Sequence, residues 1–166
     1  MSDKFNGLVE AIFLPPRNWV LQSKLTFTCG HLNNEHVKLL SKCGVEISDK
    51  GKGRAEITAP KGYITDLASV PRAAWAFIAP FDVARAAIIH DVLYEKINGA
   101  FKAGKIDDRE PAREIADNTF KHAMECSSPA VAGWKIFSAY WSVRVFGRFA
   151  IKSSAPRGAK PALVLK

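Results

Sequence analysis

No uninterrupted apolar run in this chain approaches the roughly twenty residues that a membrane-spanning helix needs. Its longest hydrophobic segments are broken by Arg85, His90 or Lys135, so no transmembrane span is expected. Cysteine is scarce. Cys29, Cys43 and Cys126 are odd in number and show no C-x-x-C spacing, which argues against a complete internal disulfide framework. Acidic residues are missing altogether from residues 126–166, a stretch that carries seven Lys and Arg. Residues 1–60 hold eight basic and six acidic side chains, and residues 61–125 hold nine and ten, so nearly all of the net charge of +8 lies at the C-terminal end. There is no Walker-type loop, tandem repeat or coiled-coil heptad pattern. The first twenty residues lack the basic start and continuous apolar region of a secretion signal, and synthesis and folding in the cytoplasm are expected.

What is present suffices for one ordinary domain. Of the 166 residues 48% are hydrophobic, ten of them Phe, which can fill a core without disulfide help. A single α+β domain is expected over residues 1–152, followed by a flexible basic tail at 153–166, rich in Ser, Pro, Ala and Gly. Such a tail can meet nucleic acid, an anionic membrane or an acidic protein, or it can simply be solvated.

Residues 5–60 read as strands and turns. LVEAIFL runs into Pro15-Pro16, WVLQSKLTFTC alternates partially at 20, 25, 27 and 29, and HVKLLSKCGVEIS leads to a hairpin turn at DKGKG. RAEITAP follows as a short strand, and the whole predicts a small antiparallel sheet with one covered face. The stretch at 62–82 is expected to be a loop with short helical turns. Three helices should follow. The first begins after a capping Asp82 and ends at Asn98-Gly99; the second runs from Arg109 to Met124, capped by Asp107 or Asp108. The third runs from Ser128-Pro129 to about Val145, with Trp134, Phe137, Trp141 and Val145 as its apolar seam. Strands first and helices after suggest α+β architecture rather than βαβ units.

The candidate chemistry centres on IIHDVLYEK at 88–96, where His90 and Asp91 interrupt an apolar helix. An imidazole can accept a proton near neutral pH, and a carboxylate on its other nitrogen holds one tautomer. Adjacent helical residues point about 100° apart, so Asp91 is a poor partner for His90. Asp66 from the preceding loop or Asp117 from the next helix fits better. Tyr94, one turn after His90, can donate to either carboxylate or serve in packing. Asp117 also lies one turn from Arg113 and Lys121, within a polar stripe that starts at Arg109. Ser69 lacks a G-x-S-x-G setting, and turn capping is its simpler role. Arg72 and Arg85 can hold an anionic group or serve carboxylates. Calcium or magnesium would draw on Asp66, Asp91 or Asp117, whereas zinc or iron would use His90, and no motif fixes a metal. Cys29, His31, His36 and Cys43 are only superficially zinc-like, because their spacing matches no familiar pattern.

Three segments, T-D-L-A-S-V-P at 65–71, A-A-I-I-H-D-V-L-Y at 86–94 and R-E-I-A-D-N-T-F at 113–120, resemble the phage and prophage proteins of the uncharacterised DUF1353 family. V-R-V-F-G at 143–147 resembles its closing segment, and the resemblance covers roughly residues 55–148. It implies a phage context, in the host cytoplasm or the virion, and maps onto Asp66, Ser69, Pro71, His90, Asp91, Tyr94, Arg113 and Asp117. H-D-x-x-Y is also similar to secreted phospholipases A2. That likeness implies water activation by His90, calcium at Asp91 and support from Asp117, but the flanking cysteines and glycine-rich calcium loop are absent.

Two expectations result. In one, His90 activates water for hydrolysis, oriented by Asp117 or Asp66, with Arg72 or a cation stabilising negative charge. In the other, the same residues form an internal network in a non-enzymatic tail, baseplate or assembly protein of a phage particle. Nucleic-acid binding through the basic tail is a third option, although no recognition module is present.

Overall fold

The computed structural model describes residues 3–16, 18–65, 83–128 and 130–150, the last five by backbone alone. The expected α+β class holds, with strands first and helices after. The strands, however, form two antiparallel sheets. Strands β1 (Lys4–Phe5), β4 (Leu25–Cys29), β6 (Arg54–Ala59) and β5 (Ile47–Gly51) make one, in the order β1-β4-β6-β5. Strands β2 (Ala11–Leu14), β3 (Asn18–Leu21) and β7 (Ile64–Thr65) make the other, in chain order. WVLQSKLTFTC is therefore not one strand. It breaks between Leu21 and Leu25, and its halves enter different sheets. In the second half Leu25, Phe27 and Cys29 all reach the core, as their alternation requires.

The DKGKG turn is where it was expected. Lys52 and Gly53 both take positive φ, 54° and 68°, the geometry that lets a two-residue loop follow the twist of its strands. Ile64–Thr65 pairs with β3 rather than remaining loop. Residues 66–82, including the rest of the expected loop and Asp82, lie outside the described residues, as does the expected tail at 153–166.

One helix was not expected at all. Residues Asn34–Lys42 form α1 where a strand and turn were read. Asn33 caps it by accepting the backbone N–H of His36 at 2.8 Å. Leu40 is fully buried, with Val37 and Leu39 packed alongside. Gly44 ends the helix at φ 83°, with its N–H on Ser41 O and that of Val45 on Leu40 O. Those paired bonds need a left-handed residue, and glycine supplies it without a side-chain penalty.

The remaining helices are α2 (Ala84–Lys102), α3 (Glu110–Glu125) and α4 (Gly133–Ala150). Helix α2 continues through Asn98-Gly99 and stops only at Gly104, whose φ is 67°. Its cap position is Val83, without a side-chain cap. Every residue from Ala86 to Leu93 is buried, because α2 lies between the four-stranded sheet and α3. His90 and Asp91 are thus in the interior. Helix α3 keeps its expected limits within one residue, with Pro111 in the first turn and Asp108 accepting the Glu110 N–H. Helix α4 starts later and ends later than expected. Its Trp134, Phe137, Trp141 and Val145 do not form the packing seam; Ile136, Ala139 and Val143 on the opposite side do. Arg85, read as an anion-binding candidate, instead donates to the backbone carbonyls of Gly7 and Ser128 and covers the Phe5 ring.

His31 joins the sheet to α3. The Thr119 hydroxyl donates to Ile115 O, so it accepts from His31 Nε2 at 3.1 Å, and the His31 ring stacks on His122. Among the described residues, no group of three or more His, Cys, Asp or Glu is placed to hold a metal ion, and the zinc-like set is not assembled.

Two measurements probe this framework. Gly44→Ala forces a side chain into the left-handed region and should cost about 1–2 kcal/mol, read as a lower urea midpoint at unchanged slope. Burial, and then the charge of His122, lower the His31 pKa from 6.5 to about 4. Between those values the unfolded chain binds a proton that the folded chain does not, so stability falls as pH falls through that window. His31→Gln should flatten that part of the stability–pH curve.

Candidate functional site

Helices α2 and α3 place His90 and Asp117 face to face, with Nε2 and Oδ1 3.0 Å apart. An ionised carboxylate only accepts hydrogen bonds, so Nε2 carries the proton and Nδ1 presents a lone pair in the neutral ring. Among the described residues, the buried Nδ1 has no hydrogen-bond partner. The ring is 3% exposed and lies against Tyr94 and Phe120, at centroid distances of 4.2 and 4.9 Å.

Asp117 is fully buried yet well supplied with donors. The Tyr94 hydroxyl donates to Oδ1 at 2.6 Å, and Arg144 Nη1 reaches Oδ2 at 3.2 Å. Burial by itself pushes this carboxyl upward, but the hydrogen bonds from His90, Tyr94 and Arg144 outweigh it, and the pKa lies below the usual value. Burial, then the charge of Asp117, pushes the Tyr94 hydroxyl well above its ordinary range and keeps it a donor. The acid, the base and their supports thus come from three helices.

A second ion pair stands beside the first. Arg113 is 1% exposed, donates to Glu110 at 2.6 Å and lies 5.5 Å from the Tyr94 ring centre. Sequence spacing had paired Arg113 and Lys121 with Asp117 on a polar surface stripe. Instead Arg113 and Asp117 are interior, Arg113 turns back to Glu110, and Lys121 goes to Glu125 and the Tyr140 ring. The stripe is interior at Arg113 and Asp117 but not at Lys121, whose side chain is 48% exposed.

Asp91 points away from the His90–Asp117 pair and accepts the Thr65 hydroxyl at 2.8 Å, which ties α2 to the end of β7. The expected metal set of Asp91, Asp66 and His90 therefore has two members described, and among the described residues no metal-holding group is found. Asp66, Ser69 and Arg72 lie outside the described residues. Of Asp66 and Asp117, the described geometry gives Asp117 to His90. Arg144 is a site residue that the sequence reading did not single out; it is one of three cations, with Lys135 and Arg148, in an apolar helix that has no acidic residue. Glu110 was also missed, at the i−3 position from Arg113.

Asp117→Asn should destabilise the fold by on the order of 2 kcal/mol, since the amide loses the charge that strengthens the hydrogen bonds from His90, Tyr94 and Arg144. A carboxyl whose folded pKa is depressed contributes stability that is complete above its unfolded value, about 3.9, and is lost as pH falls toward the lower folded value. The stability gap between wild type and Asp117→Asn should therefore close on acidification below pH ~4, as chemical unfolding at a series of pH values would show.

No curated protein and no solved structure matches the chain. A family model does, over residues 39–143, which include His90, Asp91, Tyr94, Arg113 and Asp117. By that match the chain belongs to the family described as protein of unknown function, DUF1353.

Proposed function

We propose that this protein is a hydrolase in which His90 acts as a general base on water. The observation that carries the reading is the asymmetry of the His90 ring: Nε2 is held by Asp117, and the buried Nδ1 has no partner among the described residues. Nδ1 takes the proton as water attacks, and Asp117 stabilises the imidazolium that forms. Tyr94 and Arg144 hold Asp117 in position, so little reorganisation accompanies the proton transfer. Asp66, Ser69 and Arg72 follow Thr65 in the sequence and are the candidates to complete the site with an oxyanion-stabilising group or a cation. The roles of His90 and Asp117 agree with those that the H-D-x-x-Y resemblance implies, without its lipid specificity.

The second reading is a non-enzymatic phage virion or assembly protein, with the network as an internal clamp. The near-complete burial of His90, Asp117 and Arg113 favours it. Its partners are structural proteins of a phage particle.

The two separate on one variant. His90→Gln should lower turnover of an activated ester or phosphodiester by about 10²–10⁴-fold while the melting temperature stays near wild type. Assays after chelation, and with calcium, magnesium or zinc restored, distinguish direct from metal-assisted water activation. A folded His90→Gln protein with full activity eliminates the hydrolytic mechanism. A large loss of melting temperature, no wild-type turnover and the protein's presence in purified particles by mass spectrometry support the virion reading.

A further inference from the structure

Helix α4 is apolar on two opposite faces. Ile136, Ala139 and Val143 are buried, whereas Trp134, Phe137, Trp141 and Val145 are 50–66% exposed. Their spacing at i, i+3, i+7 and i+11 puts these four on one narrow stripe. Single exposed apolar residues are ordinary, but a contiguous aromatic stripe marks a surface with an occupant. The chemistry of that occupant follows from charge. From Cys126 onward the sequence has seven Lys and Arg and no Asp or Glu. Of the described cations, Arg144 turns inward to Asp117 and Lys135 lies over the Trp134 ring.

A second copy on the stripe would bring together two segments that carry seven cations and no acid each, which Coulomb repulsion opposes. Duplex DNA would satisfy the cations but leave Phe137 and Val145 unused. An anionic lipid surface satisfies both, because Trp and Phe settle at headgroup depth while Lys and Arg meet lipid phosphates. Among the described residues no helix is long and apolar enough to cross a membrane, so α4 would lie on the surface. We propose that the outer face of α4 docks this protein onto an anionic lipid bilayer. The proposal does not depend on what His90 does.

Flotation of the full chain with vesicles tests it. Wild type should partition onto phosphatidylglycerol–phosphatidylcholine vesicles about tenfold or more above pure phosphatidylcholine, and high salt should weaken the binding. Trp134→Ser/Phe137→Ser/Trp141→Ser should lose about tenfold or more of that partitioning at an unchanged melting temperature; if the triple variant misfolds, Phe137→Ser alone serves. Equal flotation of wild type and a folded variant overturns the proposal, as does no flotation of wild type. Retention of duplex DNA without vesicle binding overturns it in favour of nucleic acid. A wild-type dimer that the same substitutions convert to monomer, by light scattering, overturns it in favour of a second copy.

Discussion

The interior of this fold depends on keeping one carboxylate charged away from water. Asp117 sits where α2, α3 and α4 meet, and each of its oxygens is engaged by a side chain from another helix. A buried carboxylate without donors would cost several kcal/mol and would neutralise itself by binding a proton. Three donors reverse that preference. The balance fixes the positions of α2 and α4 around α3 more specifically than hydrocarbon packing does, since hydrogen bonds have direction and apolar contacts do not. Beside it the buried Arg113 pairs with Glu110, which is 44% exposed, and its guanidinium lies 5.5 Å from the Tyr94 ring centre.

Catalysis and architecture are hard to separate here because they ask the same thing of these residues. A general base needs a fixed tautomer, and a fixed tautomer needs a carboxylate that does not move. A structural clamp needs the same bond. What differs is the other ring nitrogen. Among the described residues the buried Nδ1 has no partner, as a base that keeps its lone pair requires, although Nδ1 of His31 and of His36 are buried without partners too. Burial of the ring to 3% exposure weighs on the other side.

Much of this was legible in the amino-acid order. The long apolar helix carrying His90, the limits of α3 and the DKGKG hairpin follow from periodicity and turn chemistry, whereas the partner of His90 stayed open between Asp66 and Asp117. The failures have physical causes. Helix α1 was hidden because Val37, Leu39 and Leu40 mix two periods over nine residues, too few for the helical one to stand out, although Asn33 and Gly44 mark both ends. Gly99 looked like a helix end, but a glycine inside a well-packed helix costs only about 1 kcal/mol, and burial of Ala100 outweighs that. The spacing of Asp117 allowed both a surface pairing with Arg113 and Lys121 and a place beside His90. His90 and Tyr94 from α2 and Arg144 from α4, all distant in sequence, decide between the two by engaging Asp117. The faces of α4 were exchanged for a related reason: both are apolar, and periodicity alone does not say which one meets α3.

Helix α4 carries two duties on a single rigid rod. Arg144 points in to a carboxylate oxygen at 3.2 Å, and Trp141 and Val145 on neighbouring turns point out. A slide of this rod by one residue's rise, about 1.5 Å, would break the guanidinium's grip. Anything that grasps the outer ridge therefore has a lever on the innermost ion pair.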